Sequence, residues 1–151
     1  MRNVNVESNV VDVVLTMAAG ANHAGDVLAD TLEIADAVSV SGGTGILQSI
    51  LVQDDDDLGG AMDIVILDTN TSIGTENAAV SMADNDSILG TVSVLASDYV
   101  DMINSKHATM SNLGIVVKAK SGTSLYVAVV MRTAGTVTAS GTTLRFGFLQ
   151  D

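Results

Sequence analysis

Residues 124–132 read Ser-Leu-Tyr-Val-Ala-Val-Val-Met-Arg, and this segment is the clearest indicator of the fold class. Leu125, Val127, Val129 and Met131 fall on one face of an extended chain, and the opposite face is nearly as apolar. A strand that is apolar on both faces is typical of the centre of a sheet that is covered on both sides. The segment therefore predicts a buried central strand.

Other short apolar segments along the chain share this character. They lie at residues 10–17, 46–53, 61–68, 88–95, 98–103, 113–118 and 143–149. Turn signals rich in Gly, Asn, Asp and Ser separate them, at residues 42–45, 54–60, 69–74, 104–105, 121–122 and 139–141. Strands at this spacing, without helical patterns between them, favour a sandwich or barrel over a parallel α/β sheet. We expect an all-β protein, an antiparallel β-sandwich or jelly-roll-like barrel with at most one or two short helical turns.

Two segments also fit a helical spacing. Residues 26–34 have apolar positions with a 3.6-residue period and Asp26 as an N-cap, but the pattern ends by Ala37, and this shortness favours a strand. Residues 77–86 fit either one helical turn or a strand followed by an Asx-type turn. The length of 151 residues suits one domain, so we predict an N-terminal arm at residues 1–9 and a single β-sandwich domain at residues 10–151.

Composition excludes several kinds of site. The chain has no Cys, which rules out disulfides, thiolate zinc sites and cysteine nucleophiles. It has no Trp and only two Phe and two Tyr, whereas pockets for small molecules are usually lined with aromatic side chains. No apolar run reaches the roughly 18 residues of a transmembrane helix, and the N-terminal residues lack the apolar core of a signal peptide. We therefore expect no membrane partner and synthesis in the cytosol.

Charge is segregated along the chain. Between Arg2 and Lys106 there is no basic residue, and that stretch holds 17 of the 18 acidic residues, so the part before Lys106 carries about −16 and the remainder about +4. A nucleic-acid partner requires a broad basic face, which a chain of net charge −12 with six scattered bases does not supply. Four bases lie in or near the C-terminal strands. These four bases are Lys118, Lys120, Arg132 and Arg145. If their strands are neighbours, the bases form one surface that docks on acidic partners. The alternative is that they are scattered surface charges.

The candidates for chemistry are few. The run Asp54-Asp55-Asp56-Asp57 is a weak candidate for a metal site, because hard cations take several carboxylates from one loop, but these residues lack the alternating ligand spacing and are read first as a solvated turn. The segment Asp84-Asn85-Asp86 is weaker still. Glycines 42, 43 and 45 precede an apparent strand rather than a helix, so they predict a turn and not a phosphate loop.

Catalytic residues are not predicted. His107 has Ser105, Asp101 and Lys106 nearby in sequence, but no nucleophile elbow or oxyanion-hole motif accompanies it, and His23 lies in a loop sequence. The acid pairs Asp98/Asp101 and Asp30/Glu33 lack a substrate platform. We expect no enzymatic activity and no cofactor.

The order of several short motifs resembles the capsid decoration (cement) proteins of tailed bacteriophages. The resemblance covers most of residues 24–151 and rests on Ala24-Gly-Asp-Val-Leu28, Gly42-Gly-Thr-Gly-Ile-Leu-Gln-Ser49, Met62-Asp-Ile-Val-Ile-Leu-Asp68, Asn77-Ala-Ala-Val80 with Ala83-Asp84, Asn112-Leu-Gly114, Ser124-Leu-Tyr-Val127 and Thr143-Leu-Arg-Phe-Gly-Phe-Leu-Gln-Asp151. The absence of Pro departs from the family, whose loops tend to contain it.

The resemblance implies a β-rich, often oligomeric protein that lies on the outer capsid surface and stabilises it. The predicted partners are thus the major capsid protein and further copies of the chain, with a homotrimer as the first choice. The alternative is a secreted or virion-borne β-sandwich that binds carbohydrate or Ca²⁺, for which Tyr99 and Tyr126 are the only tyrosines available as a platform. A third interpretation is that the acidity is an adaptation to high salt.

Overall fold

A computed structural model describes residues 6–83 and 85–150. These residues form eleven strands and one 3₁₀ turn at Ala96–Asp98. The strands are β1 (Glu7–Val14), β2 (Gly20–Asn22), β3 (Val27–Ile34), β4 (Thr44–Asp54), β5 (Met62–Leu67), β6 (Ile88–Val94), β7 (Tyr99–Asp101), β8 (Lys106–Lys118), β9 (Leu125–Met131), β10 (Gly135–Val137) and β11 (Thr142–Gln150). In this described part of the chain no helix has the length and apolar character needed to cross a membrane.

The strands form two main antiparallel sheets. One has the order β1-β11-β4-β8-β7, the other has the order β3-β9-β5-β6, and β2 and β10 make a separate small ribbon. When the eight longer strands are numbered along the chain, the sheets read 1-8-3-6 and 2-7-4-5. The chain is thus a long hairpin whose two arms pair from end to end and which is rolled into two layers, which is the jelly-roll topology. The prediction of an antiparallel sandwich is confirmed, and the two sheets do not close into a barrel over the described residues.

The core lies between the two sheets and is built from the inward residues of each strand. In β11 every second side chain is buried, and the only two Phe residues of the chain, Phe146 and Phe148, stack there with their ring centroids 6.2 Å apart. Val, Ile, Leu and Met fill most of the remaining space from both sheets. The inward and outward alternation explains why single strands are readable in the sequence, because burial on one face selects apolar residues at every second position.

Most predicted strands agree with the structure. The segment at 124–132 is β9, an inner strand of its sheet with both faces buried, and residues 26–34 form a strand as their length favoured. The predicted strand at 113–118 is only the end of β8, which begins at Lys106. Its first half is polar on the outward face, with Thr109 and Ser111, so the apolar pattern is too weak there to reveal it.

Other boundaries differ from the prediction. Glu7, Ser8 and Asn9 were assigned to an arm, but they are the start of β1 and pair with the end of β11, while residues 1–5 lie outside the described residues. The segment at 77–83 is neither helix nor strand, and the turn that follows is described from Asn85 onward. The short strands β2 and β10 were not predicted, because three residues carry no usable periodicity.

Candidate functional site

The outward face of the four-stranded sheet is covered by the chain itself. Residues 69–82, here called the cover segment, lie across it, and Ile73 is buried against Val65 and Val130. The remaining members of this second apolar cluster are Val27, Leu67 and Ala128, with Met82, Ile88 and Tyr126 packed at its margin. This sheet is therefore buried on both sides.

Hydrogen bonds to β3 fasten the cover segment to the sheet. The Val27 amide donates to the Ala78 carbonyl, the Thr31 hydroxyl donates to the Thr71 carbonyl, and a carboxylate adds two further bonds. Asp30 of β3 accepts hydrogen bonds from the Ser72 hydroxyl at 2.7 Å and from the Ile73 amide at 2.9 Å. Partial burial raises the pKa of Asp30, but the hydrogen bonds from Ser72, Ile73 and Thr31 together outweigh it, so the pKa lies below its usual value. Asp30 is thus a structural anchor and is not half of an acid pair with Glu33. The Glu33 carboxylate separately accepts a hydrogen bond from Ser124.

The outward face of the five-stranded sheet is different, because its apolar side chains remain exposed to solvent. We call it the bare face. Val10 and Val14 on β1 are 63% and 54% exposed, and Val116 on β8 is 70% exposed. Strand register places these residues on one side of the sheet together with the half-exposed Leu51 near its centre. Exposed apolar residues that share one sheet face make that face a candidate contact surface, and here the Asp12–Arg145 ion pair lies between Val10 and Val14.

An apolar groove lies at one end of the bare face. Its volume is about 320 Å³, and it is lined by Val6, Thr44, Gly45, Ile46, Val116, Leu149 and Gln150. Ile46 stands between Leu149 and Val116 in the strand register, so three neighbouring strands supply the apolar wall.

A projecting apolar tip lies beyond the other end of the same sheet, in the turn between β7 and β8. We call Met102 and Ile103 the knob. They are 58% and 84% exposed, and Ile103 has a φ of +79°, a left-handed conformation that a β-branched residue rarely adopts. The Asp101 carboxylate accepts a hydrogen bond from the Ile103 amide, and the Met102 amide donates to the Ser105 carbonyl, so the turn is held in this shape.

The four predicted contact bases do not form one surface. Arg145 lies on the bare face, where its guanidinium makes a two-pronged ion pair with Asp12 of the neighbouring strand. Arg132 follows β9 in the other sheet and binds Asp63 on the outward face of that sheet. The two arginines belong to different sheets, so they do not share one basic surface, and the contact roles of the four bases stay a prediction.

The jelly-roll hairpin explains this pairing. Residues early in the chain lie beside residues late in the chain, so the acidic first part meets the basic last part within the molecule. Hydrogen bonding with Arg145 lowers the pKa of Asp12. Lys106, similarly, lies 3.7 Å from the Asp57 carboxylate. Among the described residues Lys118 and Lys120 are in no ion pair, and both line a depression beside the groove that also contains Asp68.

The four consecutive aspartates point in different directions. Asp54 is buried, and its carboxylate accepts hydrogen bonds from the amides of Asp56, Leu58 and Gly59, so it shapes the loop from inside instead of being solvated as expected. Asp56 binds Thr138 across the loop, and Asp57 faces Lys106. Over residues 6–83 and 85–150 no group of three or more acids or histidines has a geometry that could hold a metal ion.

The remaining candidates are also placed by the structure. Ser105 and His107 are in contact, with Oγ 3.2 Å from Nε2, but the carboxylate of Asp101 is bonded to its own turn and not to His107. Asp98 accepts from the Leu95 amide at the 3₁₀ turn. His23 is exposed in a loop beside Asp26. The structure thus brings Ser105 into contact with His107 but not Asp101.

Neither tyrosine forms an exposed platform. Tyr99 packs against the core and donates from its hydroxyl to the Gly60 carbonyl at 3.2 Å, and burial, followed by the charges of Asp54 and Asp98, raises its pKa. Tyr126 packs against the cluster beneath the cover segment. The glycine-rich segment begins as a turn, as predicted, in which the Gly43 amide donates to the Val40 carbonyl, and it enters β4 at Thr44.

Comparison with known proteins gives one kind of match. No family model matches the sequence, and no curated protein matches it. Among solved structures, the infectious bursal disease virus VP2 subviral particle aligns over 96% of this chain with a TM-score of 0.43 and 12% identity. A structure of the Gx strain of the same virus aligns over 97% of the chain with a TM-score of 0.24 and 13% identity. The chain spans about a third of the first of these proteins, 32%, and 41% of the second.

Proposed function

We propose that this chain is a non-enzymatic virion protein that decorates the outer surface of a phage capsid and stabilises it by binding major capsid protein subunits. The observation that carries the proposal is the bare face, a sheet face whose apolar residues are exposed among residues 6–83 and 85–150. The jelly-roll topology supports it as well, since this fold is common in viral shells. The motif order that resembles decoration proteins supplies the identity of the partner.

The proposed contact is mainly apolar. Burial of Val10, Val14 and Leu51 against a shell subunit would exclude water from β-branched side chains, and each fully buried side chain of this size contributes about 1.5–3 kcal/mol. The Arg145–Asp12 pair in the same face offers one donor and one acceptor group to polar atoms of the partner. The bases of the C-terminal strands contribute less than expected from the sequence, because Arg132 and Arg145 are already paired.

Self-association belongs to the same proposal. Decoration proteins act at many equivalent positions of a symmetric shell, where several weak contacts add up when the subunits are linked. A homotrimer on the shell, as the resemblance implies, would present three bare faces at once.

The test is binding to capsids that lack the protein. Purified chain is mixed with such shells, and co-sedimentation and the melting temperature of the shell are measured; we expect binding and a raised melting temperature. The paired variant Val10→Asp with Val14→Asp should weaken binding at least tenfold, because each change places a charge in the buried contact. Val80→Asp is the matched control, because Val80 is also an exposed valine but lies in the cover segment. Equal binding by the two variants would refute docking through the bare face.

A further inference from the structure

We propose that two copies of this chain join edge to edge, with β1 of one copy paired antiparallel to β1 of the other about a two-fold axis at Val10. The two five-stranded sheets then form one continuous sheet. This contact goes beyond the capsid binding proposed above and does not depend on it. A two-fold contact also leaves the three-fold association of a trimer free, so it joins copies of neighbouring trimers.

β1 is an edge strand whose outer backbone groups are unpaired over the described residues. The Leu15 amide donates to the carbonyl of Thr142, which lies directly opposite it in the register of β1 and β11. Hydrogen-bonded pairs of an antiparallel ladder alternate with pairs that exchange no bonds, so every second residue of β1 directs its N–H and C=O away from β11. These residues are exposed, and within residues 6–83 and 85–150 their backbone groups make no hydrogen bond; they are Ser8, Val10, Asp12 and Val14.

The other edge strands of the two main sheets are protected in ways that β1 is not. β7 has only three residues, and the pairings of β3 and β6 contain register shifts. β1 has eight residues, an unbroken register and no Lys or Pro. A long regular edge without these devices is a template for a further strand.

The side chains of β1 favour a second copy as that further strand. On the bare face their order is Val6, Ser8, Val10, Asp12 and Val14, which has the same alternation of valine and polar residue in both directions from Val10. In an antiparallel pair centred on Val10, this residue faces its own copy and Val6 faces Val14, so valines pack on valines. Ser8 faces Asp12, whose carboxylate has acceptor sites left beside its two bonds from the neighbouring arginine.

Charge selects this register among the neighbouring ones. Each copy has a net charge of −12, so a contact between copies has to keep acids apart. A pair centred on Asp12 places that carboxylate opposite its own copy, and a pair centred on Val11 places it opposite Val10. Only the pair centred on Val10 gives Asp12 a hydroxyl group as its direct neighbour.

The other charged groups near the edge do not oppose this pairing. Glu7 lies on the opposite face of β1 from Asp12 and faces Val13 of the second copy. Asp36 is close to the edge, because its carbonyl accepts from Asn9, but its carboxylate is turned toward the Thr123 hydroxyl. The remaining repulsion between two acidic copies acts at longer range, so added salt should strengthen their association.

Cysteine cross-linking tests the contact and its register. The chain has no Cys, so Val10→Cys introduces one thiol. In the dimer it lies about 5.5 Å from its own copy between Cα atoms, which is within the span of a disulfide. Val14→Cys is the matched control, because Val14 is an exposed valine of the same face but lies roughly 27 Å from its own copy in this register.

We expect mild oxidation with diamide to convert Val10→Cys to a covalent dimer at a concentration at which Val14→Cys stays mostly monomeric on a non-reducing gel. An equimolar mixture of Val14→Cys with Val6→Cys should cross-link as well, because these two positions face each other across the axis. Cross-linking by the mixture but not by its separate components is specific to the antiparallel pair centred on Val10.

A further variant breaks the backbone contact and leaves the isolated chain intact. Val10→Pro removes an outward N–H that has no acceptor within the described residues, and edge strands tolerate Pro at such a position. By sedimentation equilibrium we expect a dimer for the wild type and at least about a tenfold weaker dimer for Val10→Pro, since both bonds at the axis are lost. Val10→Thr keeps the N–H and the β-branched shape and should dimerise like the wild type.

Four outcomes would overturn the proposal. They are a wild type that stays monomeric, a Val10→Cys variant that cross-links no faster than Val14→Cys, a folded Val10→Pro variant that keeps the wild-type dimer, and a dimer that weakens in high salt. Capsid binding is measured separately. Shells bound by a chain that stays monomeric would refute this inference alone, and a dimer that does not bind shells would refute the proposed function alone.

Discussion

The outward faces of the two sheets carry similar side chains in different surroundings. On the four-stranded sheet, Val65 and Val130 are buried beneath Ile73 of the cover segment. On the five-stranded sheet, Val10 and Val116 stand in solvent. The same β-branched residue type therefore stabilises the fold on one side and is available for a partner on the other, and the difference comes from the path of a loop.

This contrast separates stability from binding. Substitutions beneath the cover segment remove contacts that the isolated chain already makes, so they should change the free energy of unfolding. Substitutions on the bare face remove few such contacts, so they should change association and leave unfolding nearly unaltered. The same substitution can thus be made on each face, and its effects on unfolding and on association can be compared.

The largest expected effect is at Ile73. Ile73→Ala should lower the free energy of unfolding by about 2–5 kcal/mol, because the side chain is almost fully buried and its removal leaves a cavity. Ile46→Ala makes the same chemical change on the bare face and should cost less than Ile73→Ala, because Ile46 is 38% exposed. Urea unfolding of both variants measures the difference, and equal losses would show that the bare face is covered in the isolated chain.

A smaller effect is expected at the anchor of the cover segment. Asp30→Ala should cost about 1–3 kcal/mol at neutral pH, because Ser72 and Ile73 lose their acceptor. Since the pKa of Asp30 is lower in the folded chain than the unfolded value of about 3.9, its stabilisation is present above that pH and is lost as the pH falls through the folded pKa.

Asp30→Ala should therefore lose less stability than the wild type as the pH falls from 5 to 2, because a carboxyl with a lowered pKa titrates over roughly that span. The urea midpoints of both proteins across this pH range measure the difference. Asp12→Ala on the bare face is the comparison for neutral pH, where it should cost less because Asp12 is well exposed. An unchanged midpoint for Asp30→Ala at neutral pH would contradict its role as an anchor.

The smallest effect distinguishes the two arginine pairs. Arg132→Met should cost about 0.2–1 kcal/mol, because Asp63 is the less exposed acid and also binds Ser93. Arg145→Met should cost less, since both members of the Arg145–Asp12 pair are well exposed and screened by salt. Thermal midpoints at low and high salt measure both, and a larger loss for Arg145 would show that the bare-face pair is structural.

Strands could be predicted from the sequence where the pattern of a few neighbouring residues specifies them. The inner strand at 125–131 and the strand at 143–149 could be recognised because burial selects alternate residues or a continuous apolar run. The first half of β8 was missed because its outward residues are polar, and the start of β1 was missed because Glu7, Ser8 and Asn9 are all polar. The knob was not predicted either. Its only signal was the adjacent Met102 and Ile103 in a turn, where two exposed apolar residues are unusual.

Sequence alone established an antiparallel all-β chain with many β-branched residues, few aromatics and segregated charge, since each of these properties is carried by neighbouring residues. Only the tertiary structure decided where the charges meet, which sheet face is covered and how far apart groove and knob lie. These depend on pairing between residues that are distant in the sequence, from 42 positions for Ser72 and Asp30 to 133 for Arg145 and Asp12. The long hairpin brings the acidic and basic parts of the chain together, and so replaces a surface expected from the sequence with pairs inside the molecule.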